Sequence, residues 1–174
     1  MTTPTFTVRT GDANPLNGFS VGDSGYSAPA FVDLDGDGDL DIVTGIGNGY
    51  FAWYENTTGS DNVLTFTART GDANPLDGVD LGSSESKPEF GDLDGDGDLD
   101  LVAGARDGNF YYFENTTGSD NVLTFTARTG NANPLFAFNT SSESTPALGD
   151  LDGDGDLDLV SGNDDGNFFW FENT

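Results

Sequence analysis

Apolar and polar residues alternate over short stretches along this chain, and no stretch carries a helical period bounded by caps. Thr5-Phe-Thr-Val-Arg-Thr10 alternates residue by residue and predicts a half-exposed strand. A connection over 11–27 follows, with Asn14-Pro15 and Gly18 as turn punctuation. Ala28–Leu34 predicts a second strand and Leu40–Thr44 a third; after the turn Gly47-Asn-Gly49, the aromatic run Tyr50–Tyr54 predicts a fourth. Glu55–Asn62 reads as a polar loop, and the cycle restarts at Leu64-Thr-Phe-Thr-Ala68.

The pattern repeats. Asp33-Leu-Asp-Gly-Asp-Gly-Asp-Leu-Asp41 recurs as Asp92–Asp100 and Asp150–Asp158, spaced 59 and then 58 residues apart. Glu55–Gly71 reappears without a change as Glu114–Gly130, the mark of recent duplication or deliberate construction. Three repeats result, over 5–64, 65–123 and 124–174. A period of this length with four short strands predicts an all-β fold, a β-propeller of four-stranded antiparallel blades with three blades per chain.

The two ends are out of phase. The chain opens with a lone copy of the Thr-Phe-Thr strand and closes on Phe168–Asn173, the strand that elsewhere precedes it. The last repeat therefore lacks its outer strand. Propellers close with roughly four to eight blades, so two chains exchanging terminal strands would make a six-bladed ring. A homodimer is expected; other oligomers, an open fragment and a monomer closed on itself are the alternatives.

Charge narrows the function. The 174 residues carry 31 acidic and 5 basic side chains, a formal charge of −26. Nucleic acid needs cations to neutralise phosphate, so it is excluded as a partner, and anionic membrane surfaces are disfavoured alike. There is no His and no Cys, which removes disulfides, thiolate and imidazole metal sites, Cys nucleophiles and any Ser-His-Asp triad. Any metal must be a hard cation held by oxygen. Aromatics at 12%, with 25 Gly against 7 Pro, favour a folded chain with tight turns over an acidic disordered one. No apolar run approaches the roughly 20 residues of a membrane span, and Met1-Thr-Thr-Pro4 does not read as a signal peptide.

The candidate chemistry lies in the acidic loop. Carboxylates occupy every second position, with glycines between the middle ones. Calcium takes about 6–8 oxygens at roughly 2.3–2.6 Å, and a short loop supplies them only by curling. Positions 1, 3, 5 and 9 are the expected side-chain ligands: Asp33, Asp35, Asp37 and Asp41, then Asp92, Asp94, Asp96 and Asp100, then Asp150, Asp152, Asp154 and Asp158. Position 7, which is Asp39, Asp98 or Asp156, is expected to offer its backbone carbonyl. An EF-hand shares the opening but needs a Glu at position 12 and flanking helices. Here position 12 is Thr44, Ala103 or Ser161, and the flanks read as strands. Magnesium prefers a smaller octahedron and keeps more water. Unneutralised, two charges 4 Å apart repel by about 4 kcal/mol at an effective dielectric of ~20, so five carboxylates on one hairpin call for a cation. One Ca2+ per repeat, three per chain, is the expectation, acting as a staple for the hairpin.

Pro29–Gly45, with the downstream Gly-Asn-Phe-Tyr-Tyr-Phe-Glu-Asn of Gly108–Asn115, closely resembles the FG-GAP/VCBS repeats of integrin-like β-propellers. The resemblance spans essentially the whole chain. It implies four-stranded blades with calcium in the loop between the first two strands, the position-7 backbone carbonyl among the ligands, no enzymatic activity, and an extracellular or cell-surface module for recognition or adhesion. Family propellers commonly have seven blades, a departure from three repeats. Phe136-Ala-Phe138 also departs from Asn17-Gly-Phe19 and Asp77-Gly-Val79 at a position expected to meet the neighbouring blade.

Secondary features read structurally. The runs Tyr50–Tyr54, Phe110–Phe113 and Phe168–Phe171 hold 12 of the 21 aromatics and are expected to pack between blades rather than stack sugar rings. Sequons at Asn56, Asn115 and Asn139 read as turn chemistry, and Arg9, Arg69 and Arg128 are expected to pair with nearby carboxylates. Two further readings stay beside recognition: a scaffold without a ligand, cut from a larger surface protein or engineered, and a lectin holding glycans between blades. A hydrolase is disfavoured because the clustered carboxylates are claimed by metal.

Overall fold

Eleven strands form three antiparallel sheets in a computed structural model that describes residues 3–22, 25–119 and 122–174. The first sheet takes β1 (Ser27–Val32), β2 (Asp41–Ile46), β3 (Phe51–Asn56) and β4 (Phe66–Arg69) in chain order. The second repeats the order with β5 (Lys87–Gly91), β6 (Asp100–Gly104), β7 (Phe110–Asn115) and β8 (Phe125–Arg128). The third has only β9 (Thr145–Gly149), β10 (Asp158–Gly162) and β11 (Phe168–Phe171). Consecutive antiparallel pairing through short turns is the meander of a propeller blade.

The acidic motif joins the first two strands of each sheet, as expected, but the strands stop short of it. β1 ends at Val32 and β2 begins at Asp41, so Asp33 and Leu34 belong to the loop. Asp41 pairs with Val32 across the mouth of the hairpin. The aromatic strand continues past its aromatics to Asn56, because β3 pairs with β4 as far as Asn56–Phe66.

Thr5–Thr10 does not form the predicted strand. Its counterparts Phe66–Arg69 and Phe125–Arg128 pair with β3 and β7, whereas among the described residues this segment lies beside no sheet edge. Phe6 is left 97% exposed. The expected long connection holds a short 3₁₀ turn, Gly11–Ala13, repeated at Gly71–Ala73 and Gly130–Ala132. Three residues are too few to show a period, which is why the sequence pattern is silent about them.

The core lies between sheets. Val32, Leu34, Val43, Phe51 and Trp53 of the first blade pack on Leu76, Leu101, Ala103, Ala105 and Phe113. The arrangement recurs one blade on, where Val102, Phe110 and Tyr112 meet Leu135 and Leu159. The aromatic strands thus pack between blades in the first two sheets. In the third sheet only one face of that strand does so: Phe171 packs on Phe110, whereas Phe168 is 84% and Trp170 53% exposed.

Serine and glycine lock the blades together. Ser86 Oγ accepts from the Ile46 amide at 2.9 Å and donates to the Tyr50 carbonyl at 2.6 Å. Ser144 Oγ does the same to Ala105 and Asn109, at 2.8 and 2.7 Å. The facing strand carries Gly45 or Gly104, where a methyl group would overlap the Ser86 or Ser144 carbonyl oxygen.

Candidate metal centre

Each acidic loop curls through its two glycines. Gly36 and Gly38 sit at φ 75° and 95°, Gly95 and Gly97 at 76° and 100°, Gly153 and Gly155 at 84° and 105°. Side chains other than glycine rarely adopt that region. The curl lets each carboxylate accept an amide further along: Gly38 N–H donates to Asp33 Oδ2 at 3.0 Å, Asp37 N–H to Asp35 Oδ1 at 3.2 Å, and Asp39 N–H to Asp37 Oδ1 at 2.9 Å. The other two loops repeat the set, from Gly97 N–H to Asp92 Oδ2 at 3.0 Å through Asp156 N–H to Asp154 Oδ1 at 3.0 Å.

The result is three convergent triplets. Asp33, Asp35 and Asp37 each place a carboxylate oxygen within 4.8 Å of the others, as do Asp92, Asp94 and Asp96, and Asp150, Asp152 and Asp154. Asp39, Asp98 and Asp156 lie outside these triplets, with exposed side chains. Oδ1 of Asp33 is buried and has no hydrogen-bond partner. An oxygen in that state has lost its water without replacement, which costs free energy unless a cation meets it. Hard carboxylate oxygens crowded in a flexible curl suit calcium in donor chemistry.

Position 9 lies outside the triplets and has a structural part. Asp41, Asp100 and Asp158 are fully or almost fully buried at the start of β2, β6 and β10. Asp100 Oδ2 accepts from the Leu93 amide at 3.2 Å and the Tyr112 hydroxyl at 2.8 Å, while Oδ1 accepts from the Asn115 amide at 2.8 Å. Asp41 takes the Leu34 amide, Trp53 Nε1 and the Asn56 amide in the same way, at 3.3, 3.1 and 2.7 Å. These aspartates tie the acidic loop to the end of the aromatic strand. A carboxylate has about four acceptor positions, so three hydrogen bonds leave one free. Loop spacing does not point to Trp53, Tyr112 or the Glu-Asn pairs ending β3 and β7 as partners; Glu-Asn closing each aromatic run is the sequence signal for them.

Electrostatics reflect the crowding. Burial, then the nearby Asp37, Glu55 and Asp33 carboxylates, push Asp35 above the usual carboxylate range against the Asp37 amide that pulls it down. Asp94 is raised in the same direction, by burial first. Burial also raises Asp41, outweighing its three hydrogen bonds. In Asp158 the Asn173 amide wins and the value is lowered.

The remaining sequence expectations divide. Arg128 grips Glu114 with two bonds of 2.6 Å, and Arg69 grips Glu55 through both Nε and Nη2. Arg9 forms no ion pair among the described residues, since no carboxylate strand stands beside it. The sequon asparagines are Asx turns: Asn56 and Asn115 each accept from the amide two residues on at 3.1 Å, and Asn139 at 2.6 Å. Phe138 turns onto Phe171, ring centres 4.7 Å apart, which is how the divergent third repeat fills its blade contact.

Sheets in series, each opening on an aspartate-glycine loop with converging carboxylates, define a propeller-like repeat protein. The chain belongs to the FG-GAP-like repeat family, whose model matches residues 33–103 and 92–161. No curated protein and no solved structure matches it at a significant level. Among the described residues no helix is long and apolar enough to cross a membrane.

Proposed function

We propose that this chain is a non-enzymatic, calcium-stabilised propeller module for extracellular recognition or adhesion, closed into a ring by a second copy. One observation carries the calcium reading: the same carboxylate triplet is built three times, and in the first Asp33 Oδ1 is buried without a partner. The triplets hold the ion by side chains, position 7 adds its backbone carbonyl, and position 9 lends the acceptor position left over from its hydrogen bonds. The ion neutralises a loop whose charges oppose one another and so fixes the first hairpin of each blade.

Stability is the readout. At free calcium 100-fold above the dissociation constant each independent site adds about 2.7 kcal/mol, so three add about 8 kcal/mol. At roughly 2–4 °C per kcal/mol for a chain of this size, melting in calcium should exceed melting in EDTA by about 15–30 °C. Magnesium should restore less. Equal melting in EDTA and millimolar calcium would refute the role. Recognition has its own test, a glycan and protein array probed with and without calcium: reproducible calcium-dependent capture supports it, and silence favours a scaffold without a ligand.

A further inference from the structure

The chain contains the same blade-to-blade interface twice, and each half of it once more without a partner. The first half is a set of apolar side chains on the leading face of a blade. In the second blade these are Leu76, Val79, Phe90, Leu101 and Phe113, packed on the first blade. In the third they are Leu135, Phe138, Leu148, Leu159 and Phe171, facing the second blade. The first blade carries Leu16, Phe19, Phe31, Ile42 and Tyr54 at the matching positions, around an open groove of about 450 Å³, with Phe31 72% exposed.

The other half is the trailing face. Val43, Phe51 and Trp53 fill it in the first blade, and Val102, Phe110 and Tyr112 in the second, each covered by the blade that follows. Val160, Phe168 and Trp170 are their counterparts in the third, and none is buried. Polar parts of the interface are also present and unused. Ser27 stands where Ser86 and Ser144 lock their neighbours, yet it is exposed. Gly162 stands where Gly45 and Gly104 admit a serine carbonyl, yet a methyl group there would meet nothing within 4 Å.

We infer that the trailing face of blade three docks on the leading face of blade one of a second copy, head to tail, and that two such contacts close a six-bladed ring. This rests on the proposed closure by a second copy and specifies its surfaces. Continuity with the two internal interfaces supplies the geometry. It also places the N-terminal segment, because β4 and β8, the outer strands of the first two blades, each lead through a 3₁₀ turn into the next blade. Phe6–Arg9 of the partner completes the three-stranded sheet beside β11. By the register of β3 with β4 and β7 with β8, Arg9 falls opposite Trp170, Val8 opposite Phe171, Thr7 opposite Glu172 and Phe6 opposite Asn173. Arg9 then grips Glu172 as Arg69 grips Glu55 and Arg128 grips Glu114. The exposed Phe6, Phe168 and Trp170, and the unpaired β11 edge, are buried by one event.

Light scattering on the purified chain in calcium should give twice the 18.3 kDa of one chain. Any other mass overturns the two-copy ring, and a mass of one chain overturns closure by a second copy altogether. Gly162→Ala is the test of surface. Its methyl group has open space within one chain but meets the Ser27 carbonyl of the partner, so dimer dissociation should strengthen by about 10- to 100-fold. The far-UV circular dichroism of the dissociated chain should be unchanged. Arg9→Glu should weaken the dimer as well, and adding Glu172→Arg should restore it, since the reversed pair forms across the interface. If the wild type is a dimer and these variants dissociate like it, closure stands and this pair of surfaces is wrong.

Discussion

Replacing Asp100 by Asn separates hydrogen bonding from metal binding at position 9. The Asp100 carboxylate is 1% exposed and accepts from Leu93 N–H, the Tyr112 hydroxyl and Asn115 N–H. Asparagine keeps the shape but presents one oxygen and one NH2 group. Whichever way the amide turns, its NH2 faces a backbone N–H, that of Leu93 or that of Asn115. One buried donor without a partner costs about 1–3 kcal/mol, and the surviving bonds lose the extra strength that a charged acceptor gives. Together these come to about 2–5 kcal/mol, or roughly 4–20 °C in melting temperature for a chain of this size. The measurement is thermal unfolding in EDTA, where no metal contributes. Asp94→Asn is the control: Asp94 is exposed and accepts from the Asp96 amide at 3.2 Å. In EDTA it should melt at or slightly above wild type, because a charge leaves a crowded loop; in calcium it should melt lower. An Asp100→Asn chain that matches wild type in EDTA, or an Asp94→Asn chain that falls as far as Asp100→Asn, would refute the structural part of position 9.

Other outcomes follow from packing and titration. Leu101→Ala empties a fully buried site between the first two blades and should cost about 2–5 kcal/mol by urea unfolding; a loss under ~1 kcal/mol would mean the blades do not pack there. Gly104→Ala should also destabilise the chain, since its methyl group would lie 2.7 Å from Pro146 Cδ and overlap the Ser144 carbonyl; an unchanged urea midpoint would count against the blade contact. All five tyrosines are held above the ordinary phenol value. Burial is the first cause except in Tyr50, where a hydrogen bond to Asp80 leads, and Tyr111 is pushed up to about 12. Raised values favour the neutral form in the fold, so this stabilisation is full below the unfolded phenol value of about 10 and is lost as pH rises through the folded values. Phenolate absorbance should therefore titrate later in the native chain than in urea, and superimposed curves would contradict the burial of these rings.

How much was legible in the sequence depended on whether the cause lay within one repeat. The loop Asp33–Asp41 carried its own explanation in alternating aspartates and two glycines, and the structure curls it accordingly. The aromatic strands were legible because dense aromatic runs recur at a fixed period. What escaped depends on neighbours. Thr5–Thr10 has the pattern of a strand but lacks a sheet to join, since pairing needs a partner edge. Phe168 and Trp170 have the composition of an interface, but burial is a property of the next blade. Asp41, Asp100 and Asp158 looked like ligands alone, because spacing says nothing about the tryptophan, tyrosine and backbone amides that converge on them. Ser86 and Ser144 carry no chemical signature of a lock, and only their recurrence with Ser27 two residues before a proline marks the position.

The formal charge of −26 is organised by this architecture: 15 of the 31 carboxylates stand in the three loops. Three calcium ions would bring the total to −20, and the rest keeps a repetitive chain with open strand edges soluble. Isothermal titration of chelator-stripped protein with calcium decides whether the loops hold the ion. Binding should saturate at three ions per chain, reduced to two by Asp94→Asn combined with Asp96→Asn in the second loop. No heat and no saturable binding at millimolar calcium would contradict it.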